Sequence, residues 1–278
     1  MKRLFVMAAL VSLTWMGRAQ TAADSLALVN ADWKVTELQQ GLVAKKAVFA
    51  SLYGVPQEVS LLEVSPKKFK FNVQEHNAME RTGEVSRREG AVAALNGTFY
   101  NMKVGYSVSY LQKDGIVIDT TSTGSYQSNG ALYIKKGKIA IMAWDKQAEK
   151  AMQAKPGKAS VMAAGPLMRL DGKDCSTEGL NRSFCDNKHP RSAVVLTKDK
   201  KVLLVVVDGR RKGKCEGVSI AEFTHLVRVL GGVDALNMDG GGSSTLWSAA
   251  MPDDGVINTP SDKSGERKVA NSIGVYAK

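Results

Sequence analysis

The sequence predicts an α+β fold: one domain of mixed, largely antiparallel β-sheet with a few packed helices. Short β-rich runs recur along the chain, separated by Gly, Pro, Asn and Asp turn residues. Only a few stretches carry helical spacing with a capping residue. No internal repeat, low-complexity tract or linker divides the 278 residues.

Residues 1–19 read as an export signal, because Lys2 and Arg3 precede an uncharged apolar run over 4–16 and small residues at Gly17 and Ala19. The run is too short to span a bilayer, and no later one is long enough. Cleavage after Ala19 or Gln20 would deliver a periplasmic or extracellular protein without a membrane span. No Cys sits at that junction to carry a lipid anchor.

A strand-rich region over 20–90 follows, with strands expected at 33–39, 42–53, 58–64 and 69–73. They are broken by Gly41, Gly54-Val55-Pro56 and Pro66. The polar stretch 76–89 reads as a helix before the apolar strand 91–95, which opens the core region 91–278. Hairpins are expected over 107–119, turning at Asp114-Gly115, and over 132–144, turning near Lys136-Gly137. A helix over 145–155 and a strand over 160–164 come next, then a Gly165-Pro166 break.

The strongest hairpin pairs 191–197 with the apolar run 202–207, which should be central and covered on both faces. Residues 219–230 form the clearest helix, entered at Ser219 and ended by Gly231-Gly232. Strands at 235–237, 245–247 and 272–276 complete the chain.

The formal charge of +11 falls to +8 once Lys2, Arg3 and Arg18 of the signal are removed. A positive field favours anionic partners. The charges are scattered, with no nucleic-acid motif or aromatic stripe, so no nucleic-acid partner is expected. Of three cysteines, Cys175 and Cys185 flank a short polar loop and are the nearest disulfide candidates, although spacing leaves any pairing with Cys215 open. No C-x-x-C or Cys/His cluster marks a metal site.

The segment Asp239-Gly240-Gly241-Gly242-Ser243-Ser244 follows a short apolar strand. Three glycines supply no packing, so they serve either a tight turn or a backbone that closely approaches an anionic or sugar ligand. An acid on one side and two hydroxyls on the other favour the ligand. Asp208 has the same placement after 202–207, although Asp208-Gly209 also suits a plain turn. Two carboxylates at strand ends suit hydrolysis of a glycosidic bond. They could also hold a divalent cation, but carboxylates alone give a weak Mg²⁺ or Ca²⁺ site, and no cofactor is otherwise implied.

Glu222 is a third acid, but its spacing from Ser219 favours a capping box. His189-Pro190-Arg191 offers a proton-transfer group and a phosphate-binding fork at the start of a strand. Arg210, Arg211 and Lys212 add a second anion contact beside Asp208. Asn96-Gly97-Thr98-Phe99-Tyr100-Asn101 has amide, hydroxyl and aromatic groups suited to a sugar, although Asn-Gly alone signals a hairpin turn. The polar loop 262–267 says little alone.

Together these motifs resemble the phosphodiester glycosidase family from about residue 91 onward. The likeness rests on Asn96-Gly97-Thr98-Phe99-Tyr100, His189-Pro190-Arg191-Ser192-Ala193, Val207-Asp208-Gly209-Arg210, Leu236 to Ser244, and Gly265-Glu266-Arg267 followed by Asn271. It implies hydrolysis of a bond between a sugar anomeric carbon and a phosphate. Asp239 or Asp208 would stabilise the oxocarbenium-like centre or activate water, and Arg191 with His189 would engage the phosphate. Asn96, Thr98, Arg210, Gly240, Gly241, Ser243, Ser244 and Arg267 would bind substrate, with Glu266 and Asn271 as further candidates. The sequence stops just after Tyr276 without the Cys-rich, membrane-anchored region of the family's lysosomal member, so glycan breakdown outside the cytoplasm is the expected setting.

Overall fold

The computed structural model describes residues 21–122 and 128–278, so the expected export signal lies outside the described residues. Helix α1 (Ala22–Val29) precedes strands β1 (Lys34–Gln39), β2 (Leu42–Leu52), β3 (Val55–Val64) and β4 (Phe69–Arg81). Helix α2 (Thr82–Arg88) and strand β5 (Ala93–Asn96) lead to two hairpins, β6 (Leu111–Lys113) with β7 (Ile116–Asp119) and β8 (Gly130–Lys135) with β9 (Lys138–Ala143). Helix α3 (Lys146–Ala154), strands β10 (Ala159–Ala164), β11 (Leu167–Leu170) and β12 (Lys173–Asp174), and helix α4 (Arg182–Asp186) follow. The last part holds β13 (Arg191–Thr197), β14 (Val202–Val207), helix α5 (Ile220–Val229), β15 (Gly232–Asn237), β16 (Leu246–Ser248) and β17 (Lys268–Ala277).

Every strand pair among these elements is antiparallel. The main sheet runs β1-β2-β3-β14-β13-β15-β11-β12, and two smaller sheets run β7-β6-β10-β8-β9 and β16-β5-β17-β4. Alternation along β14 explains the layering. Val202, Leu204 and Val206 enter a core shared with the smaller sheets, while Leu203, Val205 and Val207 enter one shared with α1, α4 and α5. Each fully buried Val or Leu in these layers contributes roughly 1.5–3 kcal/mol. Among the described residues, no helix is long and apolar enough to cross a membrane.

The hairpins turn where the dipeptides predict, because Asp114, Gly115, Lys136 and Gly137 all take positive φ. Two expectations are corrected. The helix expected over 76–89 is only α2, since residues 76–81 extend β4 alongside β17. His76 is tied there by Nδ1 to the Val269 carbonyl at 2.7 Å and by Nε2 to Ser272 Oγ at 2.8 Å. A bulge, with Ala78 at φ 61°, interrupts the period-2 pattern that would have marked the strand.

The Cys175–Cys185 disulfide is also absent, and all three cysteines are free. Cys175 packs on the core between the sheets, whereas Cys185 is buried in the core on the opposite, helix-covered face.

Candidate active site

In the main sheet the amino end of β13 lies between the carboxyl ends of β14 and β15, with Arg191 opposite Val207 and Ala193 opposite Asn237. Three motif segments therefore leave the sheet at one edge. Asn96 brings the fourth: its Oδ1 accepts from Ser192 Oγ at 2.8 Å and the Thr245 amide at 3.1 Å, and its Nδ2 donates to the Asp239 carbonyl at 2.7 Å. The Asp239 amide donates to the Gly97 carbonyl at 3.0 Å, closing the knot.

A cleft of about 260 Å³ opens at this edge. His189, Pro190 and Arg191 form one wall; Asp239, Gly240, Gly241 and Ser243 another. Arg210, Arg267, Tyr100, Met102 and Phe184 complete it.

Among the described residues, Asp239 is its only lining carboxylate. One oxygen accepts from the Gly240 amide at 2.9 Å, and the side chain also bonds Ser243. Burial is the largest influence on it and outweighs these bonds and the charges of Arg267 and Arg210, pushing its pKa up to about 6. Some solvent exposure remains at the cleft. The carboxylate therefore titrates near neutrality and is mostly ionised at pH 7.

Three arginines face this acid in different states. Arg191 is 1 % exposed and stacks over Phe184 at 4.6 Å. Its Nε donates to the Val218 carbonyl at 3.1 Å, and Nη2 donates to those of Phe184 at 2.6 Å and Asn187 at 3.1 Å. Burial lowers its pKa to about 10, which still leaves it cationic at pH 7. Arg267 is held in a fork by Asp262, at 2.7 and 3.0 Å. Arg210 is exposed at the rim in a left-handed conformation, φ 61°. Its guanidinium lies so close to Gly241 that a Cβ there would stand 2.8 Å from Nη2.

The glycines have a steric cause. Gly241 takes φ 63° in a short 3₁₀ turn, and its amide donates to the Pro190 carbonyl at 2.9 Å. A Cβ on Gly242 would overlap the Arg267 guanidinium and the Asp262 carboxylate. Burial is the first cause lowering the His189 pKa, with Arg191 and Arg210 adding to it, so the imidazole is neutral at pH 7.

Other sequence candidates lie outside the cleft wall. Asp208 is 2 % exposed behind it, with Asn258 Nδ2 and the Thr259 amide each donating to it at 2.9 Å. Asn258 also donates to the Ser244 carbonyl at 3.1 Å, so Asp208 reaches the Gly-rich turn only through that amide. Burial pushes its pKa up to about 6.

Asn96 is fully buried, as are Thr98 and Asn271, which meet each other: the Thr98 amide donates to Asn271 Oδ1 at 2.8 Å and Thr98 Oγ1 to the Ala163 carbonyl at 2.5 Å. Ser244 is buried beneath the turn. Glu266 accepts from the Gly83 amide at 2.9 Å and so anchors α2. Glu222 forms the capping box with Ser219, at 2.8 and 3.2 Å, and pairs with Lys188.

Tyr100, Met102 and Phe184 also line the cleft, although no motif spacing marks Met102 or Phe184. Tyr100 lay inside a recognised segment, but Phe184 sits on a five-residue helix too short to show periodicity. Among the described residues, no three His, Cys, Asp or Glu side chains are grouped to hold a metal ion.

Comparison with solved structures places the fold. A hypothetical protein from Synechocystis superposes with a TM-score of 0.66 at 16% identity, over 88% of this chain and 64% of that one. This chain thus spans less than two thirds of that relative. The zebrafish N-acetylglucosamine-1-phosphodiester alpha-N-acetylglucosaminidase catalytic domain, auto-inhibited by its pro-peptide, superposes with a TM-score of 0.67 at 17% identity, over 87% of this chain and 86% of that one. A Burkholderia pseudomallei protein described as exported gives 0.60 at 14% identity, over 82% and 75%. No curated protein matches the chain. The sequence profile of phosphodiester glycosidases matches residues 89–276, a span that contains every cleft-lining residue, and the chain belongs to the phosphodiester glycosidase family.

Proposed function

We propose that the cleft hydrolyses a sugar-1-phosphodiester by breaking the bond between the anomeric carbon and the phosphate oxygen. The observation that carries this reading is one carboxylate, Asp239, set against Arg191, Arg210, Arg267 and a neutral His189 in one cleft. Such a wall fits a substrate that develops positive charge at a sugar carbon while negative charge grows on phosphate.

In this scheme the ionised Asp239 stabilises the oxocarbenium-like centre. Arg191 and Arg210 attract the phosphate, and Arg267 completes the anionic pocket. Asn96 and Asp208 hold the walls from behind. A phosphate monoester leaves as a stable anion, so little general-acid help is required. Water supplies the hydroxyl that ends on the sugar, and its second proton passes to solvent.

The zebrafish neighbour is named for an N-acetylglucosamine-1-phosphodiester, so an α-linked N-acetylglucosamine member heads the substrate panel. Export through the signal at residues 1–19 completes the proposal, with mature termini after Ala19 or Gln20 as its signature.

Turnover in ¹⁸O-labelled water, with and without chelator, tests it. Label in the released sugar with a chelator-insensitive rate is expected. Label in phosphate would overturn C–O cleavage. No turnover across a broad panel would make the cleft a binding site for acidic glycans.

A further inference from the structure

The two lips of the cleft differ in chemistry. One is the loop between Tyr100 and Ser107, which bridge to each other while the Asn101 amide donates to the Tyr106 carbonyl at 2.9 Å. Met102, Val104 and Tyr106 stand out from this loop at 60%, 49% and 57% exposure. Nine large hydrophobic residues are exposed among the described residues, and three of them fall within these five positions, which makes the lip a patch rather than scatter. Met102 lines the cleft itself, and Lys103 between the apolar residues is exposed.

The other lip is the loop after β14. Arg210 lines the cleft there, and exposed Lys212 and Lys214 follow. A lip with three exposed apolar residues and one lysine and a second, basic lip therefore meet at one cleft of about 260 Å³.

We infer that the substrate's leaving group is a phosphorylated lipid alcohol, so that the enzyme takes sugar-1-phosphoryl lipids at an anionic membrane surface. The inference rests on the hydrolytic reading above and names its aglycone. Met102 stands on the cleft wall, while Val104 and Tyr106, further along the same loop, line a second cavity with Glu75 and Asp119. An alkyl chain esterified to the phosphate would leave the arginines over Met102 and follow the loop onto Val104 and Tyr106. The basic lip complements anionic headgroups around that chain. Hydrolysis breaks the C1–O bond, the bonding pair leaves with the lipid phosphate as a monoester, and water oxygen bonds C1.

The test compares two substrates with the same sugar, one a methyl and one a ten-carbon alkyl phosphodiester, presented in phosphatidylglycerol vesicles. Wild-type kcat/KM should favour the long chain by about tenfold or more, a ratio in keeping with a few contacted methylenes. The double variant Val104→Ser, Tyr106→Ser should bring that ratio close to one. Circular dichroism checks its fold, and both changes are at exposed positions. Equal rates on the two substrates by the wild type, or a ratio unchanged in the variant, would overturn the lipid aglycone while leaving the hydrolytic reading intact. Preference for a soluble oligomeric sugar phosphate over the long-chain lipid would also overturn it. Failure to cleave any of these substrates would sink the hydrolytic reading instead.

Discussion

Asp239 and Asp208 follow apolar strands in similar sequence contexts and have similar pKa values near 6, yet only one lines the cleft. The difference is the side of the backbone each projects to, which spacing does not encode. Asp239 meets the open edge, while Asp208 turns inward to Asn258 and Thr259. Replacing Asp239 by Asn should lower kcat/KM by about a thousandfold or more, the scale of losing a charge aimed at the transition state. The fold should persist by circular dichroism, and near-normal turnover would remove this acid from the mechanism.

Because Asp239 acts ionised, kcat/KM should rise with pH through about 6. His189 also titrates on that side of neutrality, so the limb needs an assignment. Ser243→Ala supplies one: the hydroxyl lowers the Asp239 pKa, and losing it should move the limb to higher pH. A limb that stays put in Ser243→Ala would point to His189.

At the scale of elements, local signals predicted what local forces decide. The Asp114-Gly115 and Lys136-Gly137 turns and the Ser219–Glu222 box all form as expected, because each depends on residues within a few positions. Long-range pairing decided the rest. Residues 76–81 became strand because β17 offered a partner, and Phe184 reached the cleft because α4 docks beside Arg191.

The same distinction separates two substitutions. Glu222→Ala should cost about 1 kcal/mol of stability by opening the capping box and its Lys188 pair, with turnover close to wild type. A collapse of kcat in that variant would return Glu222 to the chemistry. Gly242→Ala should do the opposite. The new Cβ displaces the Arg267–Asp262 fork, so kcat/KM should fall about tenfold or more while the melting temperature changes little. Wild-type kinetics in Gly242→Ala would show that the fork's position does not matter.

Across the whole molecule, the family motifs converge because antiparallel order sets the carboxyl ends of β14 and β15 beside the amino end of β13. That convergence concentrates desolvated charge, and stability should register it. Asp239 has a folded pKa raised from 3.8 to about 6. A raised carboxyl pKa means the folded state prefers the protonated form, so its contribution is fully present below about pH 4 and is lost as pH climbs through about 6. At ~1.4 kcal/mol per unit the loss has an upper bound near 3 kcal/mol, and partial exposure at the cleft brings it to about half that.

Asn at position 239 cannot ionise. Urea denaturation of wild type and Asp239→Asn should therefore coincide most closely at and below pH 4, separate between pH 4 and about 6, and keep that gap above it, with the inactive variant the more stable by about 1–2 kcal/mol. Acids remote from Asp239 titrate alike in both proteins and cancel in the difference. A gap that stays constant with pH, or one that favours the wild type at pH 7, would show that Asp239 is not held ionised at a cost in the folded protein. The stability lost on ionising this residue and the activity gained from it would then no longer share a cause.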